Sequence, residues 1–365
     1  MKEQSRAEQS RAEQSRAALP GLTRKIYAHL ADDISRKIYE ERLRYTFTDD
    51  IASVRRMIDL MEFSFSPVDG LKDKPGPFMI YGAGQRGRQF ARLYPEIAWK
   101  CFIDKNKAGQ QVDGLEVVSL SEAARQAAKA KVLISNLAHN ENIIRDLLQK
   151  GFKFENIYST REMEDRLIAS QYFDLSALPH DSQEVFVDGG SFDGFTVHQF
   201  LHWSGAAGYK KIYAFEPNKT SYESWSEKLK DVRNLSLIKK GLYSEETYLD
   251  FYDTGDSNAF LGNTHEHENL KDGLEAVRIP VTTIDKSCKE LPTFIKLDLE
   301  GAEYDALRGA EQTIREGKPK LAISIYHKPE DIWELPELLL QYQPGYKFYL
   351  RHYSLHAAET VLYAV

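Results

Sequence analysis

The stretch VFVDGGSFDG at residues 185–194 sets three apolar residues, an acid and two glycines in succession, with a third glycine four residues on. Read as strand, turn and helix, it places Asp188 at the strand's C-terminal end, Gly189 and Gly190 in the turn, and Gly194 at the helix start. No lysine follows the last glycine as a phosphate loop requires, so the glycines are expected to clear room for a ligand lying flat over the turn. Glu216, in KIYAFEP, closes the next strand, where a carboxylate can accept both hydroxyls of a ribose. A glycine turn and a strand-tip acid without a phosphate grip describe a site for a phosphate-free nucleoside. S-adenosylmethionine is the common cofactor of that kind.

A second group of charges lies in FIKLDLEGAEYDALRG, residues 294–309, where Lys296, Asp298 and Glu300 fall two apart. In a strand they would share one face, which a buried parallel strand does not tolerate without a function. His327, in ISIYHKPEDIW, follows an apolar run at the end of the sheet where α/β folds keep their sites. With an ordinary histidine pKa of ~6.5 it is a candidate for taking a proton from an acceptor hydroxyl, and Asp298 is the competing base. Arg351 and His352, in YLRHYS, end another strand and are candidates for contact with an anionic or sugar-bearing acceptor. Asp298, Glu300 and His327 offer metal donors, but their spacing matches no dedicated metal motif, and no metal is assigned.

These residues resemble the FkbM family of S-adenosylmethionine-dependent methyltransferases over about 184–354. VFVDGGSFDG, YAFEPN and VTTID carry the resemblance, and FIKLDLEGAE is its most specific part. It implies a seven-stranded class I methyltransferase sheet. Asp188, Gly189, Gly190 and Gly194 would hold the methionine and ribose end of the cofactor, with Glu216 on the ribose hydroxyls. Lys296, Asp298 and Glu300 would line the reaction centre with His327. One departure is the third strand, LSLIKKGLYS, which has no acid near its end for the adenine amine. Adenine would then be read by the backbone of Gly241 and Leu242, with Tyr243 stacking.

A second glycine turn precedes the first. YGAGQRG supplies Gly82, Gly84 and Gly87 between a strand and a helix, and Asp104 ends the next strand as a ribose acid would. The alternating stretch, about 78–159, is short for the two mononucleotide halves of a dinucleotide fold. Lys105 and Lys107 beside Asp104 could meet a phosphate, and FIDKNKAGQQVDGLEVVSLSEA resembles small nucleotide-binding domains attached to enzymes that modify sugar nucleotides or glycans. That resemblance implies a nucleotide-sugar or docking role over NAD, and a ligand-free scaffold stands beside it.

The elements that must position these groups follow from pattern. Strands alternate with helices twice, so the fold class is α/β, with two Rossmann-like domains in series at 75–160 and 180–365. A helical segment, 21–70, precedes them, with Ile26, Leu30, Ile34 and Ile38 on one face. Three tandem EQSRA units make residues 1–20 a disordered tail, and Pro67 to Pro77 reads as a linker. A length of 365 residues fits more than one domain. The net charge of -7 gives no reason to expect nucleic acid, and no apolar run reaches the roughly 18 residues of a membrane span. Two lone cysteines and no leader-like start suggest a cytoplasmic protein. The reading is an O-methyltransferase acting on a small-molecule or glycan hydroxyl. A non-catalytic nucleotide or nucleotide-sugar binding protein is the alternative, and an NAD-dependent oxidoreductase the third.

Overall fold

The computed structural model describes residues 19–61, 71, 74–135, 140–252, 260–261 and 276–365. The EQSRA tail up to residue 18 and most of the Pro67–Pro77 linker lie outside them. The chain forms two compact units that are not strictly serial. The larger holds the residues up to Tyr39, then Tyr172–Arg351 and Thr360–Val365; the smaller holds Glu40–Gln171 and His352–Glu359.

In the smaller unit six strands form one sheet. They are β1 (Phe78–Tyr81), β2 (Trp99–Ile103), β3 (Gln111–Val112), β4 (Leu115–Val118), β5 (Lys131–Ile134) and β6 (Ile157–Ser159), in the order β3-β4-β2-β1-β5-β6. From β4 to β6 the sheet is parallel, and its central strands are apolar on both faces because helices cover both. Five parallel strands are more than the single mononucleotide half that the length suggested. The short β3 pairs antiparallel with β4 through Asp113 and Gly114, both at positive φ (49° and 79°), the backbone of a tight hairpin turn.

The larger unit carries a seven-stranded sheet in the order β16-β17-β15-β14-β7-β8-β9. Its strands are β7 (Val185–Gly189), β8 (Lys211–Phe215), β9 (Leu235–Ile238), β14 (Phe294–Leu297), β15 (Lys320–Ser324), β16 (Phe348–His352) and β17 (Thr360–Ala364). β7, β8, β9, β14 and β15 run parallel and β17 runs antiparallel to β15. The chain leaves β7 toward β8 and β9, then returns to continue from β14 on the other side. β7 and β14 are therefore neighbours at the point where the winding reverses, with Lys296 opposite Asp188 and Leu297 opposite Gly189. In such sheets the crevice beyond the strand ends at that point is the natural ligand site.

A second sheet was not read from the sequence: β10 (Gly241–Leu242), β13 (Ala276–Thr282), β11 (Thr247–Tyr252) and β12 (Phe260–Leu261), in that order. The expected continuous N-terminal helix is also interrupted. A helix over residues 19–29 stops where Leu30 bridges to Phe348 of β16, and a new one, Asp33–Thr48, starts with its Ser35 N–H donating to Asp32 Oδ1 at 2.7 Å. Ile26, Leu30 and Ile38 are buried as the helical face required, and Ile34 is half-buried. Arg351 donates to the Asp32 carboxylate at 2.7 Å and to Ser35 Oγ at 3.1 Å, so it ties this segment to β16 rather than facing an acceptor. His352 is likewise structural: burial and the Arg42 guanidinium push its pKa down to about 3.

Candidate functional site

The site begins with a buried charge pair. Asp188 has no exposed surface, a position that a lone carboxylate cannot hold without large desolvation cost. Lys296 Nζ lies 3.2 Å from its Oδ1, and Ser191 Oγ donates to its Oδ2 at 2.6 Å. The same ammonium donates to the carbonyls of Gly189 (3.1 Å) and Gly190 (2.8 Å), pinning the turn to β14. Burial pulls the Lys296 pKa down, but Asp188, Asp298 and Glu216 more than offset it and hold the lysine charged. At 0% and 1% exposure, Asp188 and Lys296 are the floor of the turn. Asp188, expected at the cofactor, and Lys296, expected at the reaction centre, are thus enclosed and paired with each other.

The glycines also serve the protein's own packing. A Cβ on Gly190, at φ 77°, would stand 1.9 Å from the Asp298 carbonyl oxygen. One on Gly189 would meet Leu297 and Leu242 below 3 Å, and Gly194, at φ 79°, packs against Leu229 and Trp225. They let the turn approach β14 and the helix that carries Trp225.

Glu216 is where the sequence placed it, at the tip of β8. Its Oε2 accepts from Phe192 N and its Oε1 from Asn218 N, both at 2.8 Å. A carboxylate has about four acceptor sites, so one remains on each oxygen for a pair of hydroxyls. Burial pushes its pKa up to about 7 against the lowering effect of those two N–H groups and Lys296. Gly241 and Leu242 are buried and pair in parallel with Val281 and Thr282, while Tyr243 packs with an apolar cluster that includes Leu299. β10 is the edge strand of its sheet, so this pairing engages one side of the Gly241 and Leu242 backbone.

Above the turn, β14 ends at Leu297, so Lys296, Asp298 and Glu300 do not share a strand face as expected. Only Lys296 is in the strand. Asp298 follows it, and Glu300 sits in a turn at φ 52°. The Asp298 carboxylate is 24% exposed and caught between two phenols: Tyr172 Oη donates to Oδ2 at 3.0 Å and Tyr326 Oη to Oδ1 at 3.3 Å. Burial raises its pKa, but Lys296, His327 and the Tyr172 and Ser324 hydroxyls lower it further, so it stays ionised.

His327 reaches the same place from beyond β15. Its Nδ1 lies 2.9 Å from Glu303 Oε1, and its Nε2 is 3.5 Å from both Asp298 Oδ1 and Glu300 Oε2. Burial lowers its pKa, yet the Glu303, Glu300 and Asp298 carboxylates outweigh that and push it up to about 10. A neutral imidazole of ordinary pKa, poised to take a proton, is therefore not what the fold provides; alone in this cage the ring is an imidazolium. Beneath it, Asp331 is held well above the usual carboxylate range by burial and by Glu303.

Tyr172, Tyr326, Ser324, Ser191 and Glu303 belong to the site and were not singled out from sequence. Tyr172 carries one signal only visible in three dimensions: it is buried at φ 72°, a conformation that costs a non-glycine residue on the order of 1–3 kcal/mol. Phe192 and Glu300 share that region of backbone space, so three such residues surround the crevice.

In the smaller unit the expected residues also meet. Asp104 Oδ2 accepts from Ala83 N at 3.0 Å, and Oδ1 accepts from Asn106 N (2.9 Å) and Lys107 N (3.2 Å). Lys107 Nζ turns back to the Ala83 carbonyl at 2.9 Å. A Cβ on Gly87 would stand 2.0 Å from the Gly82 carbonyl oxygen, whereas one on Gly84 would meet nothing within 4 Å.

Residues 188–350, somewhat under half of the chain, match the family model of the methyltransferase FkbM domain. The chain is thus an S-adenosylmethionine-dependent methyltransferase. Among solved structures it is similar to the methyltransferase FkbM of Methylobacillus flagellatus, at 18% identity and a TM-score of 0.50, over 90% of this chain and 98% of that one. An rRNA methylase of Streptococcus thermophilus follows at 18% identity and TM-score 0.29, over 56% and 93% of the two chains. Fibrillarin of Aeropyrum pernix with bound S-adenosyl-L-methionine is 14% identical at TM-score 0.33, over 55% and 74%. No curated protein matches the chain. No helix among the described residues is long and apolar enough to cross a membrane.

Proposed function

We propose that this methyltransferase acts on a hydroxyl oxygen of a small hydroxylated acceptor, a sugar or glycan being the favoured class, in the crevice beyond β7 and β14. The observation that carries the reading is the ionised, partly exposed Asp298 carboxylate at the reversal of the sheet, held by Tyr172 on one oxygen and reached by Tyr326 and His327 at the other. Glu216 accepts the ribose hydroxyls through its two remaining acceptor sites, and the turn from Gly190 to Gly194 carries the methionine end. This places the sulfonium methyl toward Asp298.

Methyl transfer is then an in-line displacement. The acceptor oxygen forms a bond to the methyl carbon as the carbon–sulfur bond breaks, and that electron pair stays on sulfur to leave S-adenosylhomocysteine. The acceptor's proton passes to Asp298 Oδ1. Much of the acceleration comes from alignment, with proton removal adding its own factor. Glu300, and His327 as a donor, hold the acceptor's other oxygens.

The test is transfer from labelled S-adenosylmethionine to matched acceptors that differ in one group, a sugar alcohol and its amino analogue. Label in the alcohol as an alkali-stable ether supports the assignment. Transfer to the amine alone overturns it.

A further inference from the structure

We propose that Asp298 Oδ1, Glu300 Oε2 and His327 Nε2 form a binding site for one divalent cation, of the Mn²⁺ or Mg²⁺ kind, whose open positions take two neighbouring hydroxyl oxygens of the acceptor. The three atoms all lie within 4.8 Å of one another. His327 Nε2 is 3.5 Å from each carboxylate oxygen, and adjacent ligands of an octahedral ion at Mg²⁺ distances stand about 3 Å apart. For those two pairs a contraction of about half an ångström would suffice.

Acids alone do not make a metal site, and the histidine supplies the independent sign. Its side chain is only 8% exposed, and its Nε2 has no hydrogen-bond partner although it points into the cluster. A buried ring nitrogen that faces two carboxylates at 3.5 Å without bonding either has given up its hydrogen bond to water for charge attraction alone, and a ligand between them would complete it. The opposite nitrogen is fixed. Nδ1 donates to Glu303 Oε1, which is fully buried and also accepts from Leu299 N at 2.6 Å. A carboxylate behind one imidazole nitrogen, with the other facing two carboxylates, is how proteins orient a metal-ligating histidine.

Ligand type narrows the ion. Two carboxylate oxygens, one imidazole and no thiolate suit Mn²⁺ or Mg²⁺ better than a closed zinc site. Asp298 and Glu300 are 24% and 34% exposed at the side chain, so the crevice side is open to water or substrate oxygens. The site rests on the methyltransferase reading for its purpose. An ion there would bind the acceptor hydroxyl beside Asp298 and lower its pKa, so that its proton leaves more readily. Two adjacent open positions favour an acceptor with vicinal hydroxyls.

Mn²⁺ titration of chelator-stripped full-length protein, followed by the electron paramagnetic resonance of the free ion, tests the site. The expected result is one ion per chain, displaced by Mg²⁺, with affinity at least tenfold weaker in Glu300→Gln and in His327→Gln. Glu303→Gln, which touches no ion, should weaken it about 10- to 100-fold by releasing the ring. Retained S-adenosylhomocysteine binding shows that each variant is folded. No loss of free-ion signal at millimolar Mn²⁺, or wild-type affinity in both ligand variants, overturns the site. S-adenosylhomocysteine binding to the stripped wild-type protein is read separately, so its absence would remove the methyltransferase reading and leave the ion result standing. Chelation should lower transfer to a vicinal diol at least tenfold; transfer unaffected by chelation overturns the ion's part in holding the acceptor.

Discussion

The protein builds the same glycine-turn clamp twice and equips only one of them. In each unit a strand-tip carboxylate reaches back to an N–H of the preceding glycine turn: Asp104 to Ala83 and Glu216 to Phe192. Each also accepts an N–H two residues after itself, from Asn106 and Asn218. The clamp is therefore a device for closing a strand–turn–helix corner, and its sequence signature alone does not announce a ligand. What differs is the surroundings. Asp104 accepts a third N–H, from Lys107, which leaves it about one acceptor site where Glu216 keeps two. Beneath the second turn lies the Asp188–Lys296 pair, and beside it β14 delivers Asp298, Glu300 and, from beyond β15, His327.

Substitutions at matched positions can break or sharpen this contrast. The largest effect is expected at Asp298, which has no counterpart among the described residues of the first turn. Asp298→Asn should lower single-turnover methyl transfer by about 100- to 10,000-fold while sparing S-adenosylhomocysteine binding. Asp104→Asn should leave transfer unchanged. Equal losses in the two variants would mean that the smaller unit takes part in the reaction.

Next come the glycines, where conformation and space separate two positions that look alike in sequence. Gly190→Ala would force a Cβ to 1.9 Å from the Asp298 carbonyl oxygen at φ 77°. Denaturant unfolding should show a loss on the order of 3 kcal/mol. Gly84, at φ −78° with nothing within 4 Å, should accept alanine within about 0.5 kcal/mol. A tolerated Gly190→Ala would refute the close approach of turn and β14.

Removing the acids should separate the clamps by cofactor affinity. Glu216→Ala should weaken S-adenosylhomocysteine binding by about 1.5–3 kcal/mol, the worth of hydrogen bonds to a charged group. Asp104→Ala should not change it in calorimetry. The smallest effect is one of pH. Burial pushes the free Glu216 pKa up to about 7, and ribose hydroxyls donate more strongly to its ionised form. Affinity should therefore fall as pH drops through that value, about tenfold between pH 8 and pH 6. Glu216→Gln should flatten the profile, and an unchanged slope would move the ribose contact elsewhere.

Much of the framework was legible because hydrophobic runs and glycine turns are local signals. The parallel strands of both sheets, the turns and the strand-tip acids lie where the patterns put them. The second sheet was missed because β11 and β13 pair across a long separation and neither is a clean buried run: Tyr248 and Val277 are exposed on it. The partner of Lys296 was missed for a related reason. Alternation says that a charge occupies a buried strand, but not that Asp188 sits opposite it in the register and neutralises it.

The residue types by themselves determined that a donor-rich site closes the second α/β unit, since two carboxylates and a histidine at strand ends are costly unless they do something. Only the tertiary structure decided what each one is. Whether an acid is a floor, a clamp or a reactive group depends on its partners' distance and its exposure, and those come from strands far apart in sequence. His327 shows it most directly. Sequence gives an imidazole with an ordinary pKa, while Glu303, Asp298 and Glu300 converge on it from the β14 end and fix its charge and direction. Tyr172 arrives from the segment before β7 to hold the other side of Asp298. Coulomb and desolvation energies act through space, so chain pattern could supply the groups and only folding could set their chemistry.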